Sequence, residues 1–556
     1  MSNPSTPTGR ILNILKRERN EISAVYFYAI LNGLIQLSLP LGVQAIIGIV
    51  QGVSVRASLV VLISLVVSGV LIAGLMQVNQ MKIIEKIQQK LFVRYSFVFA
   101  EHIPKLDLKK TDSLYLPELV NRFFDIQVLQ KSLSKILLDI PGASIQILFG
   151  LLLLSFYHPA FILFGLILIL LLWLILRYTG LHGLHTSIEE STFKYNVANW
   201  LEETARVIKS IKLAKQNDLH LRKTDEQVTG YLKARNSHFR VLLFQYNVLV
   251  IFKTVITAAM LVVGTLLLVN QQLNIGQFIA AEIVILLVLN SVEKLIMNLG
   301  SVYDSLTAIE KLAAVTDQPA EKTGAIRMPS LKKGLKLEMK EVSFGYTEET
   351  EVLKKISFQI RAGEKICIRG VDSSGKSTLL RLMAGAYPDF KGAYLLDDIP
   401  AGNYNLESFR AQMGVLLGQQ DIFHGTLWEN IVLGSEQINP ETVIRYARIT
   451  GLSDFIATLK NGFDTVLDPT GKRLPRNVVH RILLVRALVC QPRLLLLEEP
   501  WQNFEERYRL QIIKLLAELE HTTVIVFTND NAFAAHCNQQ ITLGSGGEII
   551  SITRKL

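Results

Sequence analysis

The stretch KICIRGVDSSGKSTLLRLMAG, residues 365–385, decides the fold of the C-terminal part of the chain. It runs from an apolar, strand-like segment through a glycine-rich loop into a helical pattern, and the loop fits G-x-x-x-x-G-K-S. In such a loop, backbone amides and a helix N-terminus hold phosphate oxygens. A turn of purely structural purpose would not require the lysine and serine that follow the second glycine. The stretch therefore predicts an α/β P-loop NTPase domain.

The same loop supplies the first candidate site residues. Lys376 is expected to reach the terminal phosphates of a nucleotide, and Ser377 is expected to ligate Mg²⁺. The nucleotide-binding positions that we predict in this loop are Gly370, Ser373, Ser374, Gly375, Lys376, Ser377 and Thr378.

A second apolar segment, RLLLLEEPW at residues 493–501, ends in the carboxylates Glu498 and Glu499. In a nucleotide site, the first carboxylate can hold magnesium through water and the second can orient or deprotonate the attacking water. A strand that ends in acids is weak evidence alone, but here the phosphate loop precedes it in one α/β domain. We therefore predict Glu498 as a metal ligand, and Glu499 and Lys376 as catalytic residues.

The N-terminal half of the chain has the composition of a membrane domain. Half of all 556 residues are hydrophobic, and the apolar ones are concentrated here in long runs, each sufficient for the ~20 residues of a membrane-spanning helix. The polar turn YHPA divides the third run in two. Six transmembrane helices are therefore predicted, from the runs at residues 23–55, 57–81, 140–176, 241–269 and 278–295.

The charge pattern orients this domain. The net charge of +10 is a possible sign of nucleic-acid binding, but in the N-terminal half the basic residues are concentrated in the two long loops between these spans. Cytoplasmic loops carry such an excess, so both termini and the C-terminal domain are predicted to be cytosolic, with the lipid bilayer and no nucleic acid as partner. The three cysteines, Cys367, Cys490 and Cys537, are too few and too far apart to indicate a disulfide framework.

Three ionisable residues lie within the predicted spans. Counted from the outer loop, Lys253 and Glu293 are at similar depth on neighbouring helices, so we expect them to be neighbours near the inner membrane surface. A solvated ion pair is the favoured interpretation of these two, ahead of a contact with substrate. For Glu282, a role in a cavity between helices and a simple contact with water or a partner residue are about equally supported.

These features together resemble the ATP-binding cassette (ABC) transporters of the exporter type, and the resemblance extends from about residue 25 to the C-terminus. It implies a half-transporter with a cytosolic lead-in (1–20), a six-helix transmembrane domain (21–317), a linker (318–336) and a nucleotide-binding domain (337–556). It also implies ATP and Mg²⁺ as cofactors, a homodimer or a heterodimer with another half-transporter, and a bacterial inner membrane. The lead-in is shorter than the peptidase domain of some peptide-secreting members, so leader cleavage is not expected.

Further site residues follow from this resemblance. Tyr346 in SFGYTEE resembles the aromatic residue that stacks on adenine. GQQDIFHGTLWENI resembles the loop whose glutamine contacts nucleotide and metal, with Gln419 the best candidate, although a shift by one residue would place Gly418 there. Coupling helices would fall near residues 114–125 and 200–214.

Several family positions are altered. The residues aligned with LSGGQ are LPRNV, 474–478, where Pro475 has no N–H and Arg476 and Asn477 bring side chains to a place of close backbone approach. Arg476 could serve as an arginine finger, but a surface arginine is the favoured interpretation. Asn529 stands where a histidine is expected, and the segment QNFE at 502–505 alters the D-loop.

Two functions remain open at this level. The first is an exporter subunit for a peptide, lipid-like or other amphipathic solute, with a degenerate signature motif and weak or partner-dependent ATP hydrolysis. The alternative is a non-hydrolysing pseudo-ATPase that acts as a membrane scaffold or regulatory subunit. Glu499 favours the exporter, whereas LPRNV and Asn529 favour the alternative.

Overall fold

The computed structural model describes residues 6–51, 56–111, 115–214, 218–347, 349–418, 420–467 and 474–555. The chain divides into two compact units. The first comprises Met1–Pro104 and Tyr115–Gln318, and the second comprises Lys105–Leu114 and Pro319–Leu556.

Helices alone form the first unit in the part of it that the structure describes. The third and fourth spans are joined tightly, as predicted, because one helix ends at Tyr157 and the next begins at Ala160. The helices up to residue 316, of which α5 lies in the second unit, are α1 (Pro7–Arg17), α2 (Arg19–Gln36), α3 (Ser38–Gln51), α4 (Arg56–His102), α5 (Leu108–Thr111), α6 (Leu116–Asn121), α7 (Asp125–Tyr157), α8 (Ala160–Arg206), α9 (Ile208–Leu213), α10 (Leu219–Val269), α11 (Ile275–Met297) and α12 (Leu299–Thr316).

Six segments of these helices are long and apolar enough to cross a membrane, which confirms the predicted number. The longest helix, α10, has 51 residues and therefore a length of about 75 Å at 1.5 Å per residue. A bilayer core is about 30 Å thick, so the long helices continue well beyond it as polar extensions. Short helices α6 and α9 lie where coupling helices are expected, although residues 112–114 of the first such segment are outside the described residues.

The predicted pairing of Lys253 with Glu293 is confirmed. Lys253 Nζ donates to Glu293 Oε2 at 2.6 Å between α10 and α11, and both side chains are about one-third exposed. This partial exposure agrees with a solvated ion pair. Glu282, on α11, is half-buried, and its role stays a prediction.

The second unit is an α/β domain whose described residues form three sheets. The strands are β1 (Leu337–Phe344), β2 (Leu353–Ile360), β3 (Lys365–Gly370), β4 (Lys391–Leu396), β5 (Ile399–Pro400), β6 (Met413–Leu416), β7 (Gly425–Thr426), β8 (Val466–Leu467), β9 (Leu494–Glu498), β10 (Thr523–Phe527), β11 (Gln539–Leu543) and β12 (Ile549–Arg554). The central sheet has the order β12-β11-β3-β10-β9-β6, and a second sheet has the order β2-β1-β4-β5. The predicted fold class, six membrane-spanning helices fused to an α/β domain, is confirmed.

The helices of this domain are α13 (Lys376–Met383), α14 (Leu406–Arg410), α15 (Leu427–Val432), α16 (Pro440–Ile449), α17 (Leu452–Thr458), α18 (Arg476–Val489), α19 (Glu506–Glu518) and α20 (Asn531–His536). Of these helices, α13, α14, α18 and α20 contact the central sheet, and α15, α16 and α17 pack on α18. The middle strands β3, β9 and β10 pair in parallel and are buried on both faces, which explains their continuous apolar sequence.

The segment predicted as a linker packs against this α/β domain. Leu335 is fully buried, and the guanidinium group of Arg493 donates to the carbonyl oxygens of Lys333 at 2.8 Å and Pro329 at 3.2 Å. Arg493 also pairs with Asp397 at 2.6 Å. The segment is therefore fixed to the second unit by a buried arginine.

Candidate functional site

The candidate site lies at the carboxyl ends of β3, β9 and β10. Phe527, at the end of β10, pairs with Ile368 of β3 on one side and with Glu498 of β9 on the other. Because the strands are parallel, the segments that follow them converge at one edge of the sheet, where ligands of open α/β sheets bind.

The loop between β3 and α13 requires its two glycines. A Cβ atom on Gly370 would lie 2.5 Å from Ser374 Oγ, and one on Gly375 would lie 2.8 Å from Leu353 Cδ2. Gly375 has φ of 85°, and Ser373 also adopts a left-handed conformation with φ of 63°. The backbone therefore wraps tightly in front of the first turn of α13, which is the shape of a phosphate cradle.

Two side chains of this loop fit an anionic ligand. The Lys376 ammonium group donates to the carbonyl oxygens of Gly370 at 2.6 Å and Val371 at 2.8 Å, which holds the positive charge at the loop. Ser374 is 1% exposed, and its hydroxyl has no hydrogen-bond partner among the described residues. A buried polar atom without a partner is costly, so the loop is suited to bind a polar group.

Ser377 and Glu498 form the part of the site that suits a metal ion. The Ser377 hydroxyl donates to Glu498 Oε1, and Glu498 Oε2 accepts from the backbone N–H of Gly418 at 2.8 Å. A hydroxyl and a carboxylate side by side are the hard oxygen ligands that Mg²⁺ prefers. The structure thus brings together the two metal ligands predicted on β9 and α13.

Gly418 lies beside Glu498 and directly precedes Gln419, the third predicted metal ligand. A Cβ atom on Gly418 would lie 3.3 Å from Glu498 Oε2, so this position faces the carboxylate but has no side chain to contribute. Gln419, the predicted residue, lies outside the described residues. The assignment of Gln419 as a metal ligand therefore stays a prediction.

Glu499 has the surroundings of a general base. Its carboxylate accepts from the Thr528 hydroxyl at 2.8 Å, and its backbone has a left-handed φ of 40°. Burial raises the pKa of Glu499, and the Thr528 hydrogen bond and the Lys376 charge lower it in part. A buried carboxylate with a raised pKa binds a proton more readily than an ordinary glutamate, which suits a base.

His480 lies at the site but is not among the residues predicted from the sequence. Its Nε2 lies 3.0 Å from the backbone oxygen of Glu499, and its ring meets Phe504 edge to face with centroids 5.7 Å apart. Burial lowers the pKa of His480. The residue lies on α18, far from Glu499 in sequence, so only the three-dimensional fold shows that it supports the strained backbone there.

The aromatic ring of Tyr346 is partly exposed. The side chain is 37% exposed, its hydroxyl lies 3.1 Å from Thr378 Oγ1, and its ring meets Phe344 and Tyr387 edge to face. The contact with Thr378 fixes the ring beside the phosphate loop, at a place where it can stack on a nucleobase.

Asn529 follows β10, at the position where a histidine was expected. Its Oδ1 accepts from the Gly370 N–H at 3.2 Å, and its Nδ2 donates to the Gly370 carbonyl at 3.1 Å. A carboxamide has a donor and an acceptor side by side, which match the two polar groups of one backbone residue. Asn529 is therefore tied to the start of the phosphate loop, a role that the sequence did not indicate.

The altered signature segment forms the beginning of α18. Pro475 is the N-cap residue and has no side-chain acceptor, while Asn477 Oδ1 accepts from the Val478 N–H at 2.9 Å. Arg476 is exposed, in agreement with the surface interpretation. Residues 468–473, directly before this segment, are outside the described part of the chain. The start of this helix thus lacks the serine hydroxyl and glycine amides of LSGGQ.

Two family models match the chain. The model described as ABC transporter matches residues 353–502, and the model of the ABC transporter transmembrane region matches residues 22–292. The first match contains the phosphate loop, Glu498 and Glu499, and the second contains most of the membrane-spanning helices. The two matches together cover more than half of the chain.

Curated relatives and a solved structure agree with these matches. The alpha-hemolysin translocation ATP-binding protein of Escherichia coli O157:H7 is 29% identical over 366 residues, 64% of this chain and 51% of that protein. The ATP-dependent lipid A-core flippase of Burkholderia orbicola is 29% identical over 262 residues, 46% of this chain and 44% of that protein. The chain thus spans about half the length of these curated relatives.

The fold is similar to that of a bacterial Atm1-family ABC exporter solved with ATP bound. The TM-score is 0.84 at 19% identity, over 96% of this chain and 95% of that chain. The two chains therefore share the same fold.

Proposed function

Since the chain belongs to the ABC transporter family, we propose that it is a half-transporter of the exporter type that works as a pair of chains in a bacterial inner membrane. The observation that carries this proposal is the convergence of Lys376, Ser377, Glu498 and Glu499 at one sheet edge, in a chain with six candidate membrane spans. The proposed domain limits are 21–317 for the membrane domain and 337–556 for the nucleotide-binding domain, with the linker between them.

In this proposal, ATP binds at the loop between β3 and α13. The loop amides and Lys376 hold the phosphates, Tyr346 stacks on the base, and Ser377 and Glu498 hold Mg²⁺. A metal ion held by Ser377 and Glu498 would neutralise negative charge on the phosphates during transfer. The buried Ser374 hydroxyl and the tight glycine backbone support a phosphate at this place.

Hydrolysis is proposed to be weak or dependent on a partner chain. Glu499 is present as a base, but the Asn529 carboxamide is bonded to Gly370, and the segment LPRNV lacks the serine and the glycines of LSGGQ. Loss of one preorganised contact to a transferring group typically costs ~100- to 1000-fold in rate. Two such losses leave slow turnover, which a partner that supplies an intact signature motif would increase.

The exported solute is proposed to be a peptide, lipid-like or other amphipathic compound. Support comes from the relatives, one of which is named for hemolysin translocation and another for flipping lipid A-core. The alternative, a non-hydrolysing scaffold or regulator, is favoured by one specific observation, the two-way bond between Asn529 and Gly370.

The test is ATP binding and hydrolysis by the full chain in nanodiscs, beside Lys376→Ala, Glu499→Gln and the exposed control Glu520→Gln. We expect the wild type and Glu520→Gln to bind ATP and to hydrolyse it slowly. Glu499→Gln should bind ATP without turnover, and Lys376→Ala should bind it poorly. Binding without any Glu499-dependent turnover would support the scaffold, and an absence of binding would contradict both functions.

A further inference from the structure

A polar cavity of about 80 Å³ lies inside the membrane-spanning part of the first unit, between α2, α4, α7 and α11. Asn32 and Gln36 of α2, Gln77 of α4 and Gln146 of α7 line it. Gln36 and Gln146 belong to the charge-free runs, and Gln146 is about 9 Å beyond the start of its run at 1.5 Å per residue. Polar side chains at such depth are costly in lipid and usually face a functional cavity.

The amides form a chain of hydrogen bonds from one helix to the next. Ser291 Oγ donates to Gln146 Oε1 at 2.7 Å, Gln146 Nε2 donates to Gln36 Oε1 at 2.7 Å, and Gln36 Nε2 donates to Asn32 Oδ1 at 3.1 Å. The Asn32 amide group at the end of this chain donates to no other residue that the structure describes. Since each amide nitrogen carries two N–H groups, donors of all three amides remain available to the cavity.

Two charged side chains lie at the same cavity. Lys294 of α11 is exposed, and its ammonium group forms no ion pair or hydrogen bond with the described residues, whereas Asp139 of α7 accepts from Asn298 Nδ2 at 3.2 Å. The cavity therefore offers amide N–H donors, amide oxygens and one ammonium without a partner among the described residues, beside the carboxylate of Asp139. A ligand that complements them has peptide amide groups, which both donate and accept hydrogen bonds, and an anionic group that can meet Lys294.

We propose that this cavity binds a carbonyl-rich, carboxylate-bearing end of the exported solute, so that the solute is peptide-like and not an acyl lipid. The proposal rests on the exporter function proposed above and specifies its substrate class. The volume has room for one such polar end and a few waters, since a water needs about 10–15 Å³ of such space. Lys294 anchors the carboxylate, and the amides bind the peptide carbonyls.

The test measures equilibrium binding of a tritiated tetrapeptide, Ala-Gln-Asn-Ala, to the full chain in nanodiscs, as free acid and as C-terminal amide. Lys294→Gln should weaken binding of the free acid about tenfold and leave the amide unchanged, because one charge-assisted hydrogen bond is lost. Gln77→Leu should weaken both forms, and it removes no hydrogen bond seen within the described residues. Lys135→Gln, on α7 but outside the cavity lining, is the matched charge control and should change neither form.

ATP binding measured on the same nanodiscs distinguishes a failure of the peptide proposal from a failure of the proposed function. If ATP binds but neither peptide form does, or if the pocket variants bind the free acid as the wild type does, the peptide proposal is overturned. It is equally overturned if tritiated lysophosphatidylcholine binds more tightly than the peptide and depends on Gln77. If ATP itself does not bind, the proposed function fails, whatever the peptide result.

Discussion

At the scale of single residues, the contact of Asn529 with Gly370 separates this site from one that holds a histidine. The carboxamide bonds to both the N–H and the carbonyl oxygen of Gly370. In a neutral imidazole the N–H and the acceptor lone pair lie on two nitrogens that flank one ring carbon, and they point in diverging directions, so a histidine does not reproduce this pair of bonds to one backbone residue. The side chain at 529 is therefore turned towards the loop backbone.

Asn529→His should raise the ATP hydrolysis rate by about tenfold or more, because the new imidazole is free to contact the transferring phosphate. The matched variant Asn529→Ala removes the same two bonds without adding a ring, so its rate should not rise. The measurement is phosphate release at saturating ATP. Equal rates for both variants would show that the histidine position does not limit turnover.

The raised pKa of Glu499 predicts the pH dependence of hydrolysis. A base acts in its deprotonated form, so the rate should fall as the pH drops through the pKa of Glu499. Burial raises that pKa, so the fall should occur at higher pH than for an ordinary glutamate. Single-turnover hydrolysis across the acid range checks this, with ATP binding measured at each pH. The residual rate of Glu499→Gln should show no such fall, and an identical fall there would refute the assignment.

The sequence was sufficient for some site residues and not for others. Lys376, Ser377 and Glu498 meet because their motifs fix the ends of adjacent parallel strands, which local patterns predict well. His480 and Gly418 reach the site through contacts between distant segments, and no local pattern indicates them.

At the scale of elements, α18 begins without a capping side chain. Pro475→Ser should supply a hydroxyl that accepts from the N–H groups of the first turn, worth about 1 kcal/mol and therefore about fivefold slower amide exchange there. Hydrogen exchange of the full chain, followed by mass spectrometry over residues 476–480, checks this. Pro475→Ala, which has no acceptor, should leave the exchange unslowed, and equal protection in both variants would contradict a capping effect.

The helices of the first unit show which elements the sequence can predict. The charge-free runs predict the six spans correctly, because charged residues are costly in lipid and are therefore rare in membrane-spanning segments. The two long basic loops also have a helical pattern, which predicts helical extensions, and α4, α8 and α10 each continue into them as single helices far past the bilayer. The cavity between α2, α4, α7 and α11 was missed, because its amides are uncharged and far apart in sequence.

At the scale of the whole molecule, the proposed exporter is a pair of chains, and the nucleotide site of this chain is incomplete. If two copies pair as proposed, each phosphate loop lies opposite the LPRNV segment of the other copy. Both sites then lack the signature serine and the histidine, so ATP is held at two sites and hydrolysed slowly at each. An intact half-transporter as partner would supply its signature motif to the phosphate loop of this chain, where the histidine would still be missing, and the partner's own site would face LPRNV.

The most direct test of this account is a single-turnover assay of the full chain in nanodiscs with radiolabelled ATP and Mg²⁺. The account predicts that bound ATP is converted slowly to ADP by the wild type, and that Glu499→Gln retains bound ATP unchanged. Bound ATP that remains intact on the wild type, or ADP that forms equally on Glu499→Gln, would contradict the claim that this chain is a slow ATP-hydrolysing exporter subunit.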